Sequence, residues 1–260
     1  IFLRAKKYSK KYNLKLGVLT FEPLPLMFFN RNIKNYRILN NLQKYSLLRK
    51  FGTNYVINKK FNSKFSKIKY DKFIKYIIGK KINPKFIFVS NNFRFGYKRK
   101  GKVKHLIKGE KKYGFKIVKP NPQKTKNKTI SSTLIRSLLM KGKLKEANKL
   151  LSRNWSISGV VQKGKRLGKK LGFPTCNIDI KNYVLAKPGV YSVKVSINPS
   201  KKIFKGIAYL GYRPTFEDKK LLLEVNLFSF NGNLYKKTLN VYFCSFIRGD
   251  KKFKNKLNLI

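Results

Sequence analysis

The chain has 260 residues, with 63 Lys or Arg against nine Asp or Glu, a formal net charge of +54. Apolar side chains make up 42% and aromatic ones 14%, which supports one large or two ordinary cores and excludes a disordered polyelectrolyte. Two cysteines, Cys176 and Cys244, exclude a disulfide framework, and no run approaches the ~18 apolar residues of a spanning helix. The basic residues are spread over both halves, and Lys, Asn, Ile, Phe and Tyr are abundant where Ala, Asp and Glu are scarce. That pattern fits an A+T-rich coding bias and a solvated surface that draws in anionic small molecules. A reducing cytoplasm is expected, with neither a membrane nor a specific nucleic acid as partner. The alternative is a basic nucleic-acid-binding β-barrel protein without catalytic activity, its support being the charge and the aromatics among lysines.

In chain order, residues 1–12 read as a helix rather than a signal peptide, and LKLGVLTF (14–21) as a strand. Residues 34–51 carry Ile38, Leu42, Tyr45 and Leu48 at helical spacing, and NYVIN (54–58) is a short strand. DKFIKYII (71–78) pairs Phe73 with Ile77 and Ile74 with Ile78, four apart on a helix. KFIFVS (85–90) is a buried strand, 102–113 a weak helix and FKIVKP (115–120) a strand. This alternation predicts an α/β domain with a parallel sheet. It starts on a helix, so the strand expected before it lies outside these residues. Residues 129–153 read as two helices broken at Lys141-Gly142-Lys143. Thereafter WSISGVVQ, GVYSVKVSI, KIFKGIAYLGY, LLLEVNLFSF and KKTLNVYFCSFI follow one another with no room for crossover helices, which predicts a small antiparallel barrel or sandwich. DKKFKNKLNLI closes the chain as a helix, and a boundary near Ser152–Arg153 divides 1–152 from 153–260.

The loop GKRLGKKLGFPTCN has Gly164, Gly168 and Gly172, which let backbone N–H groups approach a phosphate, and Lys165 adds charge. Thr175 and Asn177 alternate with Cys176, so in an extended chain a hydroxyl and a carboxamide point the same way. Both are hard oxygen donors suited to Mg²⁺ that carries a nucleotide; a plain Gly-Pro turn is the competing reading. In LLLEVNLFSF, Leu221, Leu223, Val225 and Leu227 form one face, and Glu224 and Asn226 lie on the other. Glu224 is either a carboxylate turned to a ligand or an outward salt bridge. In ISSTLIR, Ser131, Ser132 and Thr133 sit where a helix begins, and Arg136 returns to the Thr133 side one turn on. That constellation is either an ordinary N-cap or a grip on a triphosphate.

GVVQKGKRLGKKLGFPTCNI resembles the riboflavin kinase family's motif, which usually reads Gly-Phe-Pro-Thr-Ala-Asn. The resemblance continues through PGVY (188–191), GYRPTF (211–216), LEVNLF (223–228), NLYKK (233–237) and FIRGDKKF (246–253). LTFEPLP (19–25), SNNFRFG (90–96), ISSTLIR (130–136) and GKLKEANKLL (142–151) are similar to the other half of the bacterial bifunctional riboflavin kinase/FAD synthetase family. It spans essentially all 260 residues in order. The resemblance implies a Rossmann-like FMN adenylyltransferase domain followed by a six-stranded kinase barrel, with ATP as co-substrate and riboflavin and FMN as substrates. It implies Mg²⁺ on Thr175 and Asn177, Glu224 as general base for the riboflavin 5′-hydroxyl, and Arg248 beside the flavin. It also implies Asn92, Ser132, Thr133 and Arg136 as nucleotide contacts of the adenylyltransferase half.

The chain departs from the family in several places. The loop Gly-x-Phe-Asp-Gly-Val-His-x-Gly-His is absent, and His105 is the one histidine, read as a helix-surface residue. The start at Ile1 and the helix-first rhythm imply an N-terminally incomplete chain that lacks this loop, so ATP or FMN binding with little adenylylation is expected of the first half. Cys176 replaces the usual alanine, and Lys236 the glycine of Leu-Tyr-Gly.

Overall fold

Strand β1 (Gly17–Glu22) pairs in parallel with β2 (Tyr55–Lys60), and β3 (Phe86–Phe88) with β4 (Lys116–Val118), as the alternating first half predicts. The computed structural model describes residues 1–33, 35–125, 128–163, 172–180, 182–200, 202–212 and 221–249. The expected final helix, at 250–260, and the glycines and lysine Gly164, Lys165 and Gly168 lie outside the described residues. Two compact units divide the chain, one of 1–33 with 44–129, the other of 34–43 with 130–260.

In the first unit, helix α1 (Phe2–Lys11) precedes β1 and buries Ala5. Residues 73–82 form a π-helix instead of the expected α-helix, and they bury Phe73, Ile74 and Ile78. Steps of one and five suit the wider turn, and the Asn83 N–H reaches back five residues to the Ile78 carbonyl at 2.8 Å. Helix α3 (Val103–Tyr113) buries Val103, Leu106 and Gly109 and ends at Gly114, whose φ of 67° closes the helix through an N–H bond to the Glu110 carbonyl. Between α1 and α3, helix α2 (Asn41–Lys50) is shorter than the 34–51 periodicity predicts. The Gln43 N–H donates to the Asn40 side chain at 2.8 Å and the Asn40 N–H to the Gln43 side chain at 3.0 Å, so a capping box starts the helix at Asn41. Leu42 consequently stands 73% exposed, while Leu48 is buried.

The second unit holds the predicted helix pair, α4 (Ser132–Met140) and α5 (Leu144–Leu151), and six strands. These are β5 (Ser156–Gln162), β6 (Cys176–Asp179), β7 (Gly189–Ile197), β8 (Ile203–Tyr212), β9 (Leu221–Leu227) and β10 (Thr238–Arg248). They close into an antiparallel barrel in the order β6-β9-β8-β7-β10-β5. Alternate residues point inward, among them Ile157, Ile178, Tyr191, Leu210, Leu223, Val225, Val241 and Phe243, each less than 2% exposed. Ile135, Leu138, Leu139, Leu144 and Ala147 of the helix pair join the same core. The larger segment of this unit therefore starts at residue 130, upstream of the change of texture at 152–153.

Residues 35–43 also belong to this unit, where they form a strap. The Tyr36 and Arg37 N–H groups donate to the Asn182 carbonyl at 3.1 and 2.7 Å, and the Val184 N–H donates to the Arg37 carbonyl at 2.7 Å. The Trp155 indole donates to the Ile38 carbonyl at 3.0 Å, and Gln43 donates to the Ser156 carbonyl while accepting from the Tyr183 hydroxyl. Among the described residues no helix is long and apolar enough to cross a membrane.

Candidate active site

The inward alternation of the barrel fixes what its outer wall presents. Cys176 and Ile178 on β6, and Leu223 and Val225 on β9, belong to the core, so Asn177 and Glu224 face outward. Register makes them neighbours, because Asn177 is the Cα partner of Glu224. Side chains directly opposite in an antiparallel pair have Cβ atoms about 4.5–5.5 Å apart, within reach of a shared ligand. Asn177 is buried and Glu224 half-buried.

Thr175 is exposed at the entrance to β6. Asn226, two residues beyond Glu224 on the same face, donates through its carboxamide to the Pro174 carbonyl at 2.8 Å and anchors the Pro-Thr turn to β9. Gly172 is exposed at φ 80°, a conformation that suits glycine, and open space surrounds the position of its missing side chain. Within the described residues, then, the structure sets Asn177 opposite Glu224 on the wall, with Thr175 two residues before Asn177 in the turn tied to β9.

The row continues around the barrel. Gln162 pairs with Asn177, Tyr209 with Glu224, and Val190 with both Tyr209 and Arg248. Arg248 lies in the same row as Glu224 but three strands away, about 14 Å along the wall at the usual strand spacing. Its guanidinium donates to the Gly249 carbonyl at 3.2 Å. Period-two reading marked Asn226 as outward without giving it a partner, and passed over Tyr209. The missing signal is the pairing between strands.

Cys176 lies between the two proposed oxygen donors yet takes no part with them. It faces the core, and burial pushes its thiol up to about 12.

The residues expected in the adenylyltransferase half are divided between the units. In the first unit Asn92 is exposed and accepts a bond from the Ser90 hydroxyl at 2.9 Å. In the second, Ser131 caps α4 by accepting the Leu134 N–H at 3.2 Å, and Ser132 and Thr133 are exposed in the first turn. Arg136 is turned to the strap, with Nε donating to the Tyr36 carbonyl at 2.8 Å and the guanidinium 3.6 Å from the Tyr36 ring centroid. Desolvation there lowers its pKa from the ordinary value. His105 lies in α3, as expected. Its Nδ1 accepts the Lys102 N–H at 3.0 Å, and its ring stacks on Tyr70 at 4.3 Å. Burial, then the neighbouring Lys104, Lys108 and Lys102, lower the pKa of that imidazole. Among the described residues no three His, Cys, Asp or Glu side chains cluster as a metal site.

Comparison with known proteins agrees with both halves. The riboflavin kinase family model matches residues 151–260, and the FAD synthetase model residues 1–134. The bifunctional riboflavin kinase/FMN adenylyltransferase of Buchnera aphidicola subsp. Schizaphis graminum (strain Sg) is 39% identical over 256 residues, covering 97% of this chain and 82% of the relative. That of Escherichia coli (strain K12) is 33% identical over 245 residues, covering 94% of this chain and 78% of the relative. A solved structure described as a macrolide-efflux protein from Streptococcus pneumoniae matches with a TM-score of 0.84 at 28% identity, over 99% of this chain and 84% of its own. With an adenylyltransferase-type α/β half, a kinase-type barrel and relatives of this kind along nearly its whole length, the chain belongs to the bifunctional riboflavin kinase/FMN adenylyltransferase family.

Proposed function

We propose that riboflavin is phosphorylated on the outer wall of the barrel, with Glu224 as general base and Thr175 and Asn177 as the oxygen donors for Mg²⁺. The chain converts riboflavin and ATP to FMN and ADP, and its α/β half serves the family's second reaction, in which AMP passes from ATP to FMN and pyrophosphate leaves. The single observation that supports the residue assignment is the cross-strand pairing of Asn177 with Glu224.

In the kinase reaction, the 5′-hydroxyl of riboflavin gives its proton to the Glu224 carboxylate. Its oxygen bonds to the γ-phosphorus as the bond to the ADP oxygen breaks. Most of the acceleration in phosphoryl transfer comes from positioning and charge stabilisation, and a positioned base adds about 10²–10⁴-fold. Thr175 and Asn177 are neutral donors, and this fits a cation whose charge is met by the nucleotide rather than by the protein. Held by Thr175 and Asn177, Mg²⁺ would supply positive charge to offset that of the nucleotide phosphates. Gly172, with Gly164, Lys165 and Gly168, covers the phosphates, and Arg248 serves the flavin side. Asn92 of the first unit is taken as a nucleotide contact of the second reaction, and Ser132, Thr133 and Arg136, which belong to the other compact unit, are taken separately as nucleotide contacts. The division into an adenylyltransferase domain at 1–152 and a kinase domain at 153–260 belongs to the same proposal, as do small-molecule substrates as the partners. So does a reducing cytoplasmic location, supported by two free cysteines.

The test is the initial rate of FMN formation by the 260-residue chain. Glu224→Gln is expected to lower kcat by about 10²-fold or more. Thr175→Ala is expected to raise the Mg²⁺ concentration needed for half-maximal rate while leaving the KM for riboflavin nearly unchanged. Wild-type rates and wild-type Mg²⁺ dependence in both variants would remove these roles.

A further inference from the structure

Strand β10 leaves its regular ladder just before it ends. From Tyr191 to Val190, β7 advances one residue while β10 advances two, from Phe246 to Arg248, so Ile247 has no place in the pairing. Such a bulge re-aims the side chains beyond it. Ile247 is turned out, 52% exposed, and Arg248 takes the place opposite Val190. Phe246, on the near side of the bulge, packs against the core with its ring edge-on to Tyr191, the centroids 5.2 Å apart. In a regular ladder Ile247 would stand opposite Val190, with the arginine one step beyond.

Gly189, the first residue of β7, makes room for this ending. It is buried, and its φ of 147° lies where a residue with a side chain is strained. A Cβ there would meet the Arg248 carbonyl oxygen and stand 2.9 Å from Phe246 Cε2 and 3.1 Å from the Gly249 Cα. The main chain of Arg248 and Gly249 therefore occupies the space that a side chain would fill.

Which strand would give way is decided by what holds each. On the β7 side, the Lys187 N–H donates to the Leu139 carbonyl at 3.0 Å, and the Lys187 carbonyl accepts the Tyr191 hydroxyl. The Lys187 stem lies on Gly142, where a Cβ would come within 2.8 Å of its Cδ, and its ammonium stands 4.9 Å from the Phe246 ring centroid. Pro188 has its φ fixed by the pyrrolidine ring. Gly189 itself pairs with Leu210, which is fully buried. On the β10 side, pairing with β5 ends at Tyr242, so among the described residues β7 is the one strand partner of Arg248. The end of β10 yields, and the arginine moves with it.

We propose that Gly189 is a positioning residue: the side chain it lacks lets the end of β10 close on β7, and this sets Arg248 on the wall. The proposal rests on Arg248 serving the flavin side. Gly189 presents no side chain to a substrate, and Asn177 on β6 is three strands from β7 either way round the barrel. A side chain at Gly189 therefore acts on riboflavin and leaves ATP in place.

The test uses the full chain and reads kcat and the KM values for riboflavin and ATP in FMN formation. Arg248→Ala is expected to raise the KM for riboflavin about tenfold or more, the size of a lost charged hydrogen bond. Gly189→Ala is expected to raise it about as far, with kcat and the KM for ATP within about twofold of wild type. The double variant is expected to match Arg248→Ala, because no guanidinium is left to misplace. Rises that multiply in the double variant, a wild-type KM for riboflavin in Gly189→Ala, or a loss carried by kcat or by the KM for ATP would each overturn the proposal. If Gly189→Ala does not fold, Phe246→Leu loosens the same strand end without setting a new atom against the backbone. It then decides by the same rule: its KM for riboflavin must rise in the wild-type background and not in Arg248→Ala. Arg248→Ala also separates this proposal from the one beneath it. A wild-type KM for riboflavin there removes the arginine from the flavin side and the role of Gly189 with it, whereas a raised KM there beside an unimpaired Gly189→Ala removes only the role of the glycine.

Discussion

Cys176 and Asn177 are adjacent in sequence and opposite in consequence. Strand alternation turns the thiol into the barrel core and the carboxamide onto the wall. Burial disfavours the thiolate, raising the Cys176 pKa from 9.0 to about 12, and desolvation likewise raises the Tyr183 phenol from 10.0 to about 12. For both groups the folded state prefers the neutral form. Their contribution to stability is complete below the unfolded values and is lost as pH rises from about 9 toward 12. The part of the thermal midpoint that depends on Cys176 is therefore expected to fall over that interval, read as the change with pH of the difference between wild type and Cys176→Ala. Iodoacetamide at pH near 8 is expected to label Cys244 and spare Cys176, since the nucleophile is the thiolate; equal labelling of both would contradict the burial. At this scale the sequence was informative about type and silent about company. It marked Glu224 and Asn177 separately as outward-facing, but not that they stand opposite each other, because register depends on how two distant strands align.

The elements of the first half follow their hydrophobic periods, with two instructive departures. The 34–51 pattern contains Ile38 at helical spacing, yet the helix starts at Asn41, since the Asn40–Gln43 capping box ends the preceding segment and Ile38 packs against the barrel core. The segment at 73–82 widens to a π-helix, burying Phe73, Ile74 and Ile78 together. The strap makes the kinase barrel depend on residues more than a hundred positions away. Gln43 donates to the Ser156 carbonyl at 3.1 Å and hydroxyl at 3.0 Å, and it accepts from Tyr183 at 2.7 Å. Gln43→Ala leaves these partners without their mate in a partly buried site. It is expected to cost about 1–3 kcal/mol, read as a lower urea midpoint at unchanged slope. Trp155→Phe, which removes the indole bond to the Ile38 carbonyl but keeps a ring in the core, is expected to lose a smaller part. A wild-type midpoint in Gln43→Ala would show the strap to be energetically idle.

At the scale of the whole molecule, a net charge of +54 on 260 residues opposes compactness by self-repulsion and attracts anions. Raising salt from ~0.1 M to ~1 M shortens the Debye length from about 10 Å to about 3 Å. The thermal midpoint is expected to rise over that range while the KM for ATP increases. A midpoint that falls would mean that attractive pairs outweigh repulsion. The sequence alone determined the class of each half, the helix pair before the barrel and the family, because hydrophobic period, turn residues and ordered motifs are local properties of the chain. Only the tertiary structure decided that Asn177, Glu224 and Tyr209 share one row, that Gly189 makes room for the end of β10, and that residues 35–43 belong with the barrel. Those facts arise from barrel closure and register, where segments far apart in sequence compete for the same partners, and no local pattern encodes the outcome.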